Sequence, residues 1–118
     1  MKTYRDLVVW QKAMSFVLDI YRATKSFPSE ELYGLVSQMR RCAVSIPSNI
    51  AEGYGRRSMA DYVRFLQIAM ASVFELQTQM ELALGLKYWG QREFDSLYAA
   101  LREIERMLSS LIRKVRES

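Results

Sequence analysis

The sequence predicts an all-α fold, an antiparallel up-down-up-down four-helix bundle. Apolar residues recur at steps of three and four through four long segments, the spacing that lays one stripe along a helix. No stretch sustains the alternation of apolar and polar residues that marks a half-buried strand. Gly and Pro number only five and two in 118 residues, and most of them fall at segment borders.

The first segment carries Leu7, Trp10, Met14, Val17 and Tyr21, expected to face the core. Ser26-Phe27-Pro28 then breaks the helix, and Ser29, with Glu30 and Glu31 in the next turn, reads as the cap of the second. The second stripe is Leu32, Val36, Met39, Ala43, Ile46 and Ile50, with Gly53-Tyr54-Gly55 as its stop. Pro47 lies inside this stripe and leaves the Ala43 carbonyl without its usual donor. Because the apolar phase continues past Pro47, one helix kinked there is expected rather than two. Ser58 and Asp61 resemble a capping box opening the third helix, whose stripe is Tyr62, Leu66, Ala69, Val73, Leu76, Met80 and Ala83. Gly85 and Gly90 bracket the turn Leu86-Lys87-Tyr88-Trp89. The fourth stripe is Phe94, Leu97, Leu101, Ile104, Leu108, Leu111 and Val115. Each helix is expected to run about 20–27 residues, and short connections make neighbours antiparallel. Residues 1–118 read as one domain, a length that buries a core without staples.

Composition removes much of the enzyme menu. The chain has no His and a single Cys, Cys42. Ser-His-Asp and Cys-His catalysis, His-ligated metals and an intrachain disulfide are therefore absent. Cys42 is expected to be a small buried or interface residue. No run of apolar residues reaches the ~20 that a membrane span needs, and no secretory leader is evident. The expectation is a cytoplasmic, non-enzymatic protein with no cofactor, no metal and no membrane partner. Seventeen Lys and Arg, most of them Arg, against thirteen Asp and Glu give +4. That excess suits phosphate or carboxylate partners, and equally suits solubility alone.

Five stretches carry a resemblance, three of them in the first half of the chain. Those three are Asp6-Leu7-x-x-Trp10-Gln11-x-Ala13, Phe27-Pro28-x-Glu30-x-x-Tyr33-Gly34-Leu35, and the long run Gln38-Met39-Arg40-Arg41-x-Ala43-x-Ser45-Ile46-Pro47-Ser48-Asn49-Ile50-Ala51-Glu52-Gly53. Phe65-Leu66-x-Ile68-Ala69 and Glu75-Leu76 follow in order. The chain resembles the four-helix-bundle family of the 23S rRNA intervening-sequence proteins, related to the accessory variability determinants of diversity-generating retroelements. The resemblance implies a four-helix bundle that assembles as a homopentamer and has no assigned catalytic residue. It also implies nucleic acid and a neighbouring-gene protein as partners, since the retroelement relatives are basic and work with a reverse transcriptase.

Within the long run, Gln38, Cys42, Ser45, Asn49, Glu52 and Arg56 form a polar stripe about 100° from the apolar one. It reads either as a solvated flank or as an interface stripe at a subunit contact or the edge of the core. In the second reading Gln38, Arg41, Ser45, Pro47, Asn49, Glu52 and Gly53 are structural. Ser and Asn side chains would then cover the carbonyl freed by Pro47, with Asn49 and Glu52 as hydrogen-bonding groups and Arg41 pairing with the stripe.

Basic residues gather in two places. Arg40, Arg41, Arg56, Arg57 and Arg64 form one group, and Arg102, Arg106, Arg113 and Arg116 form a stripe on the fourth helix with Lys114 beside it. These are the candidate nucleic-acid contacts, weighed against ordinary solvated faces. In a ring they would repeat and bind phosphate without sequence preference. Trp10, Tyr21, Tyr62 and Phe94 are expected in the core, while Tyr54, Tyr88 and Trp89, near helix ends, suggest contact surfaces. The function expected is a homo-oligomeric binder of RNA or DNA, or a scaffold of a nucleoprotein complex. The alternative is a protein-binding adaptor without nucleic-acid affinity.

Overall fold

A computed structural model describes residues 2–118 and shows a four-helix bundle with extents of 45 × 25 × 21 Å. The helices are α1 (Val8–Ala23), α2 (Leu35–Tyr54), α3 (Met59–Gly85) and α4 (Gln91–Arg116), with 3-10 turns at Tyr4–Asp6 and Ser29–Glu31. Among the described residues there is no strand, and no helix is long and apolar enough to cross a membrane. The starts of α1 and α3 share one end of the bundle with the ends of α2 and α4. The loops at residues 24–34 and 86–90 form the other end.

The third and fourth stripes pack as their spacing requires. Leu66, Ala69, Val73, Leu76, Met80 and Ala83 of α3 are buried, as are Leu101, Ile104, Leu108 and Val115 of α4. Tyr62, Phe94, Leu97 and Leu111 are half-buried at the margins. The first stripe is displaced. The core side of α1 is Val9, Ala13, Phe16 and Ile20, while Met14 and Tyr21 are exposed and Trp10 and Val17 half-buried. In α1, at 16 residues the shortest helix, two adjacent apolar rows share the 3-4 spacing, and the row with Ala13 and Phe16 is the one that turns inward.

Helix α2 begins five residues later than its Ser29 cap would place it. Ser29–Glu31 is an isolated 3-10 turn, Leu32 is exposed, and Gly34 precedes the first α-turn with no side-chain cap of its own. Glu31 takes over that role: its carboxylate accepts the Leu35 N–H at 3.2 Å and the Tyr88 hydroxyl at 2.7 Å. Those bonds, the Tyr88 one foremost, hold the Glu31 carboxyl below its ordinary 4.5. A lowered folded value means stability that is full above pH 4.5 and lost as pH falls through the folded value. The melting-temperature gap between wild type and Glu31→Gln should therefore hold from about pH 7 to 5 and close in more acid solution. A gap that persists at about pH 2 would show that the charge is not what matters.

Past its start, α2 is continuous through Pro47 to Tyr54. Ser58 caps α3 by accepting the Asp61 N–H at 3.1 Å. The Asp61 carboxylate turns to arginines instead, as described below. The α3–α4 turn uses Lys87 in the left-handed region, φ 63°, and not the flanking glycines. The Lys87 N–H returns to Leu84 O at 3.0 Å and the Tyr88 N–H to Ala83 O at 2.9 Å, closing the helix end.

Candidate nucleic-acid interface

The fold sorts the nine candidate arginines by what each guanidinium touches. Arg40 leaves the surface group entirely. Its Nε donates to Thr24 Oγ1 at 3.0 Å, its Nη2 to Tyr21 O at 3.2 Å, and its carbon sits 4.6 Å from the Tyr21 ring centre. A cation against the last carbonyls of α1 is a helix C-terminal cap. Arg40 is half-buried with its guanidinium already engaged, which sets it apart from the other candidate arginines. Arg41, on the next position of the helix, is exposed and lines a polar cleft between α2 and α3.

Arg56 and Arg64 share Asp61. Arg56 lies 3.9 Å from it and 3.1 Å from Glu52, and Arg64 lies 2.9 Å from it. Both guanidiniums also stack on Phe65, at 4.5 and 4.6 Å from its ring centre. They are held at the start of α3, each with its charge partly answered. Arg102 is 3.6 Å from Glu105 near the middle of α4. Arg57, Arg106, Arg113 and Arg116 are exposed and have no carboxylate within 4.0 Å among the described residues.

Those four lie toward one end of the bundle, together with Lys2, Arg5 and Lys114, of which the sequence reading singled out only Lys114. The up-down path brings the start of α1 beside the end of α4, so Lys2 and Arg5 arrive from a segment with no basic cluster of its own. Cutting the bundle at the helix midpoints makes the polarity plain. Residues 2–15, 45–72 and 104–118 hold ten Lys and Arg against five Asp and Glu, a net +5. The remaining half holds seven against eight, a net −1. The whole excess of the chain sits at the end where α2 and α4 finish.

The polar stripe of α2 resolves into two parts. One faces α3: the Cys42 thiol donates to Ser72 O at 3.1 Å, and the Ser45 and Ser72 hydroxyls meet at 2.9 Å. Asn49 Nδ2 donates to Ser45 O at 2.8 Å and Ser45 Oγ at 2.9 Å. Asn49 was expected to help cover the Ala43 carbonyl freed by Pro47, and it serves the Ser45 carbonyl instead. Burial, with Glu75 nearby, pushes the Cys42 thiol up to about 12, so it is not a nucleophile near neutral pH. The second part is solvent-facing. Glu52 is exposed on the single chain and pairs with Arg56 at 3.1 Å, outside the hydrogen bonds that join α2 to α3. Gln38 is exposed at the mouth of the cleft, and Pro47 is buried.

The helix ends within Gly53-Tyr54-Gly55 as expected, with Tyr54 its last residue and Gly55 its C-cap, and Gly53 lies in the last turn. A Cβ there would lie 2.7 Å from Phe65 Cβ and 3.2 Å from Tyr62 O. Helices α2 and α3 approach closely here, beside the Phe65 ring that carries Arg56 and Arg64. Tyr88 and Trp89 also depart from expectation. Trp89 is buried and Tyr88 half-buried, both engaged with their own chain.

Three large apolar surfaces remain uncovered. A groove of about 370 Å³ between α1 and α2 is lined by Trp10, Met14, Val17, Val44 and Pro47. Two others, of about 630 and 710 Å³, flank the last turns of α4 on either side and share Arg113.

A family model described as 23S rRNA-intervening sequence protein matches residues 5–110. The chain is also similar to a crystal structure from Bacteroides thetaiotaomicron VPI-5482, described as a protein with unknown function from the S23 ribosomal protein family. The two share 28% identity at a TM-score of 0.83, over 90% of this chain and 96% of that one. No protein of curated function matches.

Proposed function

The chain belongs to the 23S rRNA-intervening sequence protein family, and from there we propose that it is a non-enzymatic, homo-oligomeric nucleic-acid-binding protein. The observation that carries this reading is the charge polarity, +5 on one half and −1 on the other. Arg57, Arg106, Arg113 and Arg116, with Lys114, Lys2 and Arg5, form a phosphate-binding end. The arginines not already engaged by carboxylates are the ones with guanidinium forks available for backbone oxygens. Half-buried Tyr54 and Tyr62 pack edge-on against each other, 6.1 Å apart, so they offer no stacking platform there. Binding is therefore through phosphates and independent of sequence.

An uncovered apolar groove supports the homo-oligomeric part of the reading. The groove holding Trp10, Met14 and Val44 is apolar and uncovered in one subunit, which suits burial against another copy, in a ring of five as the resemblance implies. Repetition of the basic end around a ring multiplies phosphate contacts without any new motif.

The test is an anisotropy titration of a labelled duplex, as RNA and as DNA, at about 50 and 200 mM salt. With four phosphates neutralised per subunit, affinity is expected to fall about 10²-fold between those concentrations. Arg113→Glu with Arg116→Glu should weaken binding at least tenfold, while Arg22→Glu with Arg92→Glu, at the opposite end, should not. Equal affinity at both salts, or equal loss in both variants, overturns the reading. Light scattering on wild type and Val44→Asp tests assembly, with a smaller particle expected for the variant.

A further inference from the structure

We propose that the groove between the start of α1 and the end of α4 docks an acidic amphipathic helix from a partner protein. Its floor is apolar: Val8, 52% exposed in the first turn of α1, faces Met107 and Leu111 across about 630 Å³. Arg106, Arg113 and Lys114 stand along the α4 side with only Glu117 of opposite sign. A phosphate backbone satisfies those cations and leaves the hydrocarbon between them wet. A helix with apolar residues at i, i+4 and i+7 fills the floor, and carboxylates on its flanks meet the cations. Ser110, a small residue facing the groove one turn from Met107, allows the close approach that helix packing at about 8–10 Å requires.

Docking here also regulates the basic end, because Arg106 and Arg113 belong to both surfaces. An acidic helix in the groove removes cations from nucleic acid, so the two ligands compete. The competition rests on the proposed nucleic-acid reading; the docking itself does not.

The probe is a synthetic peptide of roughly 18 residues with Leu at helical spacing and Glu elsewhere, followed by fluorescence anisotropy. Its control is the same composition scrambled to destroy the apolar face. The amphipathic peptide is expected to bind at least tenfold more tightly than the scramble. Val8→Ser should weaken it at least fivefold while leaving duplex affinity unchanged, and Lys114→Glu should weaken it about tenfold. Both positions are exposed, and unchanged helical circular dichroism confirms folding. Equal binding of the scramble reduces the effect to net charge and overturns the proposal. Loss with Phe74→Ser, in the other groove beside α4, but not with Val8→Ser overturns it by relocating the site. A smaller particle in light scattering for Val8→Ser overturns it by showing that a second copy covers the groove. Peptide binding by a chain that binds no duplex supports the docking while sinking the nucleic-acid reading.

Discussion

Gly53→Val is expected to destabilise the bundle by about 3 kcal/mol, lowering the melting temperature by roughly 10 °C. A Cβ at Gly53 meets Phe65 Cβ at 2.7 Å, Tyr62 Cδ1 at 3.1 Å and Tyr62 O at 3.2 Å. The nearest of these cannot rotate away, because a Cβ is fixed by its own backbone. The helices must separate, which loosens the packing of Ile50 and Leu66, both fully buried. Gly53→Ala gives the sharper comparison. Alanine improves intrinsic helix propensity by about 1 kcal/mol, so without the close approach it would stabilise. A net loss of stability is expected instead, and a raised melting temperature for Gly53→Ala would show that the seam tolerates the extra carbon. The Val variant should also disturb the Arg56 and Arg64 stack on Phe65.

The stop at Gly53-Tyr54-Gly55 was legible, but the close approach of α3 there was not, because the atoms a Cβ would meet belong to Tyr62 and Phe65. Helix existence was readable because periodicity needs no partner to be seen, most plainly in α4, whose buried Leu101, Ile104, Leu108 and Val115 are flanked by exposed charged residues. The α1 stripe was misplaced because two adjacent apolar rows share the same spacing: Trp10, Met14, Val17 and Tyr21 beside Val9, Ala13, Phe16 and Ile20, of which the second faces the core. Which of two stripes turns inward depends on the neighbouring helix. The same applies to Glu31, whose partner Tyr88 is 57 positions away, and to Arg40, whose partners Tyr21 and Thr24 lie 19 and 16 positions away. The basic end was half legible. The α4 stripe was visible as a 3-4 pattern, but its union with Arg57, Lys2 and Arg5 follows only from the up-down path.

Trp89→Ala is expected to cost about 3–5 kcal/mol, a fall of roughly 15 °C in melting temperature, while sparing the basic end. Trp89 is 4% exposed, and its indole N–H donates to Ala23 O, at the end of α1, at 3.1 Å. Its ring meets Phe27 edge-on at 5.3 Å, and Phe27 in turn meets Tyr88 at 5.2 Å. Through Tyr88 and Glu31 the contact reaches the start of α2. The α3–α4 turn thus clasps the α1–α2 loop, and the indole is its centre. Trp89→Phe keeps ring burial and loses the hydrogen bond, so about 1 kcal/mol is expected from that bond alone. Thermal melts of both variants by circular dichroism check these values, and a Trp89→Ala protein melting like wild type would remove the clasp. The functional consequence follows from geometry. The clasp lies at the end of net charge −1, remote from Arg57, Arg113 and Arg116. At temperatures where Trp89→Ala is fully folded, its duplex affinity and salt dependence should equal those of wild type. Gly53→Val, set among the basic residues of α2 and α3, should change both.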